Sequence, residues 1–140
     1  MIYLVDTNIL SEVRKGPRCD RNVAAWYMSV AAGDLYLSVI ITGEIRKGVE
    51  LLRSRDPVQA TSLQNWLATV DAMFADRILQ IDRLVADEWG RLGAIRTIPV
   101  ADGLLAATAK VHGMTFATRN ERDVAGLGVQ LFNPFRFRDE

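Results

Sequence analysis

The chain has 140 residues, of which 49% are hydrophobic and 24% are charged, a composition typical of one well-cored globular domain rather than a disordered segment. Its 17 basic and 17 acidic residues cancel, so no overall positive field indicates a nucleic-acid partner, and any such binding depends on a local patch. Cys19 is the only cysteine, which excludes an intrachain disulfide and a cysteine-based zinc site.

The first half of the chain alternates short apolar runs with helical periods. Periodicity, helix caps and Gly-Pro breaks predict a strand at residues 2–5, a helix at 9–15, a helix from Asp20 to about Gly33, a strand at 35–39 and a helix from about Thr42. The break at Asp56-Pro57 ends that helix and begins another, in which Leu63, Trp66, Leu67 and Val70 recur at helical spacing. These two helices are predicted to form a hairpin.

The second half continues the alternation. The predicted elements are a strand at residues 78–81, a helix capped by Asp82 and running to Ile95, a helix at 101–112 that ends at Gly113, and strands at 115–117 and 129–132. Parallel strands need long crossovers, which are usually helical, so this order predicts a single α/β domain over residues 1–140. We expect three layers, with a central, mostly parallel five-stranded sheet flanked by helices and a ligand site at the carboxyl ends of its strands.

Acidic residues follow the predicted strands. Asp6 ends the first strand, Glu44 lies just after the second, Asp102 opens the helix before the fourth, and Asp123 follows the fourth. If they converge, their carboxylates repel one another and need cations. Hard oxygen ligands select Mg²⁺ or Mn²⁺, and such an ion supports hydrolysis of a phosphodiester.

Each acid also has a structural explanation. Asp6 can cap the first helix, while Glu44 and Asp102 are acids that the helix dipole favours in a first turn. The functional interpretation therefore depends on the set of acids, because one capping rule does not place acids at the ends of separate strands.

Other chemistries lack their motifs. His112 is the only histidine, which excludes a two-histidine ribonuclease mechanism within one chain, and its position near a helix C-terminus favours a structural role. No G-x-S-x-G elbow and no phosphate-binding P-loop occur, and Gly126-Leu127-Gly128 lacks the third glycine of a dinucleotide loop.

Four segments resemble the successive motifs of PIN-domain ribonucleases, specifically the VapC-type toxins of bacterial toxin–antitoxin modules: VDTNILSE, SVIITGEIRKGVE, IPVADGLLAATAKVHG and TFATRNERDVAGLGVQLFNPF. The resemblance implies that Asp6, Glu44 and Asp102 are catalytic metal ligands. It places the fourth position in TRNERD and leaves it open between Asn120 and Asp123. Thr7, Asn8, Thr118 and Asn120 are then supporting residues around the metal.

The resemblance also implies Mg²⁺- or Mn²⁺-dependent endonucleolytic cleavage of RNA, a homodimer, and inhibition by a cognate VapB-like antitoxin; it leaves open whether a higher toxin–antitoxin assembly forms. Arg46, Lys47 and Arg119 are predicted to form a rim that binds RNA phosphates or the antitoxin, although a solvated surface explains any one of them equally well. The aromatic residues at helical spacing, Trp26, Tyr27, Trp66 and Trp89, are predicted to pack in the core or an interface rather than stack on bases.

Two rival functions remain at this point. A magnesium-dependent phosphatase that uses a strand-end aspartate requires a second aspartate two residues later, and this chain has Asn8 at that position. A catalytically inactive PIN-like binding module would not need Asp6, Glu44 and Asp102 together. The start MIYLVD has no basic region before its apolar run and no later run approaches the roughly 20 apolar residues of a membrane span, so we expect a cytoplasmic protein without a membrane partner.

Overall fold

Five parallel strands form the central sheet of the computed structural model, which describes residues 1–138. The strands are β1 (Tyr3–Val5), β2 (Leu35–Ser38), β3 (Ile78–Leu79), β4 (Thr115–Ala117) and β5 (Leu131–Phe132). The helices are α1 (Thr7–Arg14), α2 (Arg21–Ser29), α3 (Val39–Arg53), α4 (Pro57–Met73), α5 (Arg83–Ile95) and α6 (Val100–Val111). The predicted α/β class and five-stranded sheet are confirmed, and every strand pair is parallel.

The strand order is β3-β2-β1-β4-β5. The chain builds outward from β1 to β2 and β3, then returns to the other side of β1 to add β4 and β5. In the register of β1 with β4, Val5 lies opposite Ala117. The order therefore reverses between β1 and β4, and a crevice outside the carboxyl ends of these two strands is the usual place for a ligand in such a sheet.

Both faces of the sheet are covered. Leu4 and Val5 are consecutive in β1 and both have no exposed surface, although consecutive strand residues point to opposite faces. Phe116 and Ala117 of β4 are buried in the same way. Helices must therefore pack on both faces, which confirms the predicted three layers.

Most helices begin at residues that the sequence identifies. The side chain of Asp20 accepts hydrogen bonds from two backbone N–H groups of α2, Asp56 caps α4 ahead of Pro57, and Asp82 caps α5. Gly113, with φ of +65°, follows the end of α6 as predicted.

Some boundaries differ from the prediction. The helix α3 begins at Val39 rather than near Thr42, because the Ser38 hydroxyl caps it through the N–H of Ile40. Glu44 consequently lies beyond the first turn, and the first-turn explanation of this acid is wrong. The last strand begins at Leu131 instead of residue 129, since its paired register with β4 consists of Phe116 with Leu131 and Ala117 with Phe132.

Trp26, Tyr27 and Trp66 pack in or against the core as predicted, whereas Trp89 is partly exposed. Trp26 of α2 is 1% exposed and its ring meets Tyr3 of β1 edge to face at 5.1 Å. Trp89 of α5 lies across α6 at Gly103, where a Cβ would come within 3.0 Å of the indole. This close approach fixes the N-terminal turn of α6, which carries Asp102.

Among the described residues no single helix is long and apolar enough to cross a membrane; α5 and α6, bent by 119° at their break, pass that length and composition test only as a pair.

Candidate active site

Asp6 lies at the carboxyl end of β1, where the strand order reverses, and only 8% of it is exposed. Its N–H donates to the Ala117 carbonyl at 3.0 Å, which ties it to the end of β4. One carboxylate oxygen accepts the Thr7 N–H at 2.7 Å, and the other accepts the Thr118 hydroxyl at 2.7 Å and the Asn8 amide at 3.3 Å. Asp6 does cap α1, but the cap uses only one of its oxygens.

Thr118 and Asn8 connect Asp6 to the segment after β4. The Thr118 hydroxyl, which is fully buried, also accepts the Asn120 N–H at 3.1 Å. The Asn8 side-chain oxygen accepts the Arg119 N–H at 3.3 Å. The predicted supporting residues Asn8 and Thr118 therefore hold Asp6 and the 118–120 segment together, whereas Asn120 contributes its backbone.

Glu44 approaches the site from α3. Its carboxylate is exposed and accepts a hydrogen bond of 2.8 Å from the Thr7 hydroxyl. The N–H of Thr7 binds Asp6, so this one residue links the two acids. The charge of Glu44 is close enough to raise the pKa of Asp6.

Asp102 and Asp123 approach from the other side. Asp102 is half-buried in the first turn of α6, and Asp123 is exposed in the 3₁₀ turn Glu121–Val124. The Arg96 guanidinium donates to the backbone carbonyls of Asp123 at 3.0 Å and Ala125 at 2.9 Å. Arg96 thereby fastens the segment that carries Asp123 to the end of α5.

The electrostatics of these acids are unfavourable without a cation. Burial raises the pKa of Asp6, against the hydrogen bonds from Thr118, Thr7 and Asn8, and the charge of Glu44 raises it further. Burial also raises the pKa of Asp102, followed by the charges of Asp6 and Asp123. Across residues 1–138 no lysine or arginine side chain pairs with the carboxylates of Asp6, Glu44, Asp102 or Asp123.

The four acids are electrostatic neighbours but not a closed ligand cage. Within the described part of the chain, no group of three or more Asp, Glu, His or Cys side chains is close enough to hold a metal ion directly. Oxygen-only donors that lack a cation fit Mg²⁺ or Mn²⁺, which keep several waters and take one or two carboxylates. The residues present fit such an ion with waters completing its coordination.

The three residues of the predicted basic rim lie in different environments. Arg46 reaches Glu50 at 3.5 Å and Gln64 at 3.3 Å, so it helps to join α3 to α4. Lys47 is exposed. Arg119 is next to Asn8 and its guanidinium lies 4.4 Å from the centroid of the Phe135 ring.

Three contributors to the site were not identified from the sequence. The cap at Ser38 sets the phase of α3 and hence of Glu44, Arg96 holds the Asp123 segment, and Phe135 supports Arg119. A hydroxyl before a helix is a recognisable cap signal. The other two contacts join residues distant in sequence, and no local pattern indicates them.

The PIN domain profile matches residues 3–126. The chain is 36% identical to Toxin FitB of Neisseria gonorrhoeae, over 96% of this chain and 99% of that protein. It is 33% identical to VapC ribonuclease Y4jK of Sinorhizobium fredii, over 96% and 98% of the two chains. A chain in the crystal structure of FitAcB from N. gonorrhoeae superposes with a TM-score of 0.87 at 35% identity, covering 97% of this chain and 100% of that one.

Proposed function

The chain belongs to the PIN domain family, and on that premise we propose that it is a metal-dependent endoribonuclease toxin that an antitoxin inhibits. The observation that carries the proposal is Asp6, a buried carboxylate at the strand-order reversal that interacts electrostatically with Glu44 and Asp102 and pairs with no cation within residues 1–138. Two similar proteins named as a toxin and a ribonuclease support the activity.

A Mg²⁺ or Mn²⁺ ion bound at this site would lower the pKa of a bound water. Its positive charge would stabilise the negative charge that develops as a phosphodiester is cleaved. Asp6, Glu44 and Asp102 would hold the ion. Thr118 and Asn8 fix the orientation of Asp6, and Thr7 keeps Glu44 directed towards it. These hydrogen bonds preorganise the acids, so less reorganisation is needed when substrate binds.

The fourth ligand is proposed to be Asp123 rather than Asn120. Burial raises the pKa of Asp102, and the charges of Asp6 and then Asp123 raise it further, which supports Asp123 as a neighbour of this acid. Asn120 makes its described contact with the site through its backbone N–H. Asp123→Asn should weaken Mn²⁺ binding, measured by calorimetry, while Asn120→Ala should not; the reverse ranking would exclude this assignment.

The activity is tested with a structured RNA and purified protein in EDTA, Mg²⁺ or Mn²⁺. We expect internal cleavage only with a divalent ion, and loss of cleavage in Asp102→Asn, whose side chain makes no hydrogen bond within residues 1–138. Asp71→Asn, an exposed acid on α4, is the matched control and should cleave normally. Cleavage that persists in EDTA, or in Asp102→Asn, would exclude the proposed site.

The same samples test the phosphatase alternative. Asn8 donates to Asp6 rather than offering a second carboxylate, which disfavours a nucleophilic aspartate with an acid two residues on. A magnesium-dependent release of phosphate from a phosphomonoester, without RNA cleavage, would replace the ribonuclease by a phosphatase. Absence of both reactions and of metal binding would leave a binding module.

An antitoxin is the proposed partner. We expect its segment to present an arginine or another cation to Asp6, Glu44 and Asp102, because a cation of either kind satisfies clustered carboxylates. Its inhibition of cleavage should then be strongest at low Mg²⁺. A partner that binds tightly but leaves cleavage unchanged at every Mg²⁺ concentration would contradict this interpretation.

A homodimer is proposed from the apolar surface around α5 and α6. Trp89 is 39% exposed, and Leu84, Ile95 and Val100 are each more than half exposed on the same pair of helices. Apolar surface of this kind usually marks an interface. Light scattering at micromolar concentration should give the mass of two chains, and a monomer would exclude the dimer.

A further inference from the structure

We propose that Arg119, held on the ring of Phe135, binds a backbone phosphate of single-stranded RNA next to the acidic site. This inference rests on the proposed ribonuclease function and names a substrate-binding subsite and the residue that builds it. The relevant feature is a cation that lies over an anchored aromatic ring, on a residue whose backbone N–H binds the Asn8 side chain next to Asp6. Arg46 of the rim, in contrast, bonds to Glu50 and Gln64.

Phe135 is anchored on both sides of its backbone. Its N–H donates to the Asn133 side-chain oxygen at 3.0 Å, and its carbonyl accepts the Asn22 amide at 2.8 Å. Asn133 is buried, and Asn22 belongs to α2. The 3₁₀ turn Pro134–Arg136 therefore presents the Phe135 ring in a defined position.

The Arg119 guanidinium uses that ring as a support. Its central carbon lies 4.4 Å from the Phe135 centroid. The backbone N–H of Arg119 donates to the side-chain oxygen of Asn8, whose amide binds Asp6. In the 1–138 region its guanidinium makes no hydrogen bond or ion pair, so its donors remain free. Hydrogen bonds from Lys15 and the Asp20 N–H lower the pKa of Glu12, and the charge of Arg119 lowers it further. Arg119 makes no direct bond to the Glu12 carboxylate, which Lys15 and Asp20 already bind.

The surroundings of Arg119 suit a phosphate group. A polar cavity of about 320 Å³ lies at this position, lined by Arg119, Asn120, Glu121, Arg122, Asp123 and Arg136. Arg136 pairs with Glu121 at 3.1 Å, and Arg122 is exposed. Of the three arginines that line this cavity, Arg119 and Arg122 make no side-chain hydrogen bond or ion pair within residues 1–138, and the fork of an arginine matches two phosphate oxygens.

Other arginines near the first helix and α3 are less suited to this role. Arg14 donates to Ser62 at 3.0 Å and lies over Trp66 at 5.3 Å, and Arg46 bridges to Glu50 and Gln64. Both hold α4 against its neighbours. Arg119 alone among these three is joined to Asp6 through one intervening side chain, Asn8.

The test measures binding of a short fluorescein-labelled single-stranded RNA by polarisation, in Mg²⁺ and over a series of salt concentrations. The parent protein carries Asp102→Asn to prevent cleavage. Arg119→Gln should weaken binding about ten-fold, because a charge-assisted hydrogen bond is lost, and should reduce the slope of log K against log salt by about 0.7.

Phe135→Leu should weaken binding about two- to five-fold through loss of the cation–π contact, with the slope unchanged because the charge remains. Arg55→Gln removes the same charge from the exposed turn between α3 and α4 and should change neither quantity. Arg119→Lys, which disturbs no core contact, should keep the slope and lose affinity, since Lys cannot reproduce the fork.

Unchanged RNA affinity in Arg119→Gln, or an effect equal to that of Arg55→Gln, overturns the subsite. Weaker binding with an unchanged salt slope in Arg119→Gln also overturns it, since that result indicates base stacking rather than phosphate binding. If the parent protein binds no RNA although it is folded, the ribonuclease proposal fails together with the subsite. RNA binding by the parent with no response at residue 119 rejects the subsite alone.

Discussion

Asp6 and Glu12 lie at the start of α1 and within it, and each is 8% exposed. Glu12 is bound by the Lys15 ammonium at 2.9 Å and by the Asp20 N–H at 2.8 Å, and these contacts lower its pKa. Asp6 accepts three hydrogen bonds but pairs with no cation, and burial with the charge of Glu44 raises its pKa. Equal exposure thus accompanies opposite pKa shifts, because desolvation is the largest effect at Asp6 and hydrogen bonds are the largest effect at Glu12.

The two carboxylates differ in whether a side chain of the protein supplies a cation to them. Glu12 has its cation within the chain, so its charge stabilises the turn after α1. Asp6 has polar groups that fix its orientation and acids that oppose its charge, an arrangement that a bound cation would stabilise. Glu12 therefore has the surroundings of a structural acid, whereas those of Asp6 support its proposed role as a metal ligand.

The largest expected difference is in RNA cleavage. Asp6→Asn should reduce the cleavage rate by about three orders of magnitude, because several kcal/mol of charge stabilisation would depend on the metal that Asp6 is proposed to hold. Glu12→Gln should stay within about two-fold, since that acid is directed at Lys15 and Asp20. Rates with saturating Mg²⁺ and a common RNA decide this. Equal losses in the two variants would remove the distinction between the acids.

A smaller effect is expected from the hydroxyl that orients Asp6. Thr118→Val should weaken Mn²⁺ binding about ten- to a hundred-fold, because it removes the hydrogen bond that orients the carboxylate of Asp6, the proposed metal ligand. Thr108→Val is the matched control, since Thr108 is equally buried and its hydroxyl donates to the Leu104 carbonyl within α6. Calorimetric titration of both variants gives the affinities. The same affinity in both would show that the Thr118 contact does not support the site.

The smallest effect is the pH dependence of stability in EDTA. The pKa of Asp102 is raised above 3.8, so its favourable contribution is complete below pH 3.8 and is lost as pH rises through its folded-state pKa. The pKa of Glu12 is lowered below 4.5, so its contribution is present above pH 4.5 and is lost as pH falls through its folded-state pKa.

As pH rises, the stability of variants at these two positions, relative to the original protein, should therefore change in opposite directions. Asp102→Asn should gain stability over the original protein as pH rises from 3.8, and Glu12→Gln should lose stability above pH 4.5 and recover as pH falls. Melting temperatures followed by circular dichroism across the acid range give both difference curves. Two curves of the same sign would contradict the assigned pKa directions.

Much of this architecture is encoded locally. Alternating apolar runs and helix caps at Asp20, Asp56 and Asp82 predict the element order, and acids after separate strands predict a shared site. The sequence could not show that Thr7 joins Asp6 to Glu44, or that Arg96 and Phe135 support the segment after β4. These contacts depend on tertiary packing between distant residues. The contrast between Asp6 and Glu12 likewise depends on neighbours that only the fold supplies.

The central proposal is that Asp6, Glu44 and Asp102 bind a divalent cation. The most direct test compares thermal unfolding of the original protein, Asp6→Asn and Glu12→Gln in EDTA and in Mn²⁺ or Mg²⁺. An ion that binds only the folded state raises the melting temperature, so the original protein and Glu12→Gln should be stabilised and Asp6→Asn should not. An original protein that does not respond to either ion, or an equal response in Asp6→Asn, would contradict the claim.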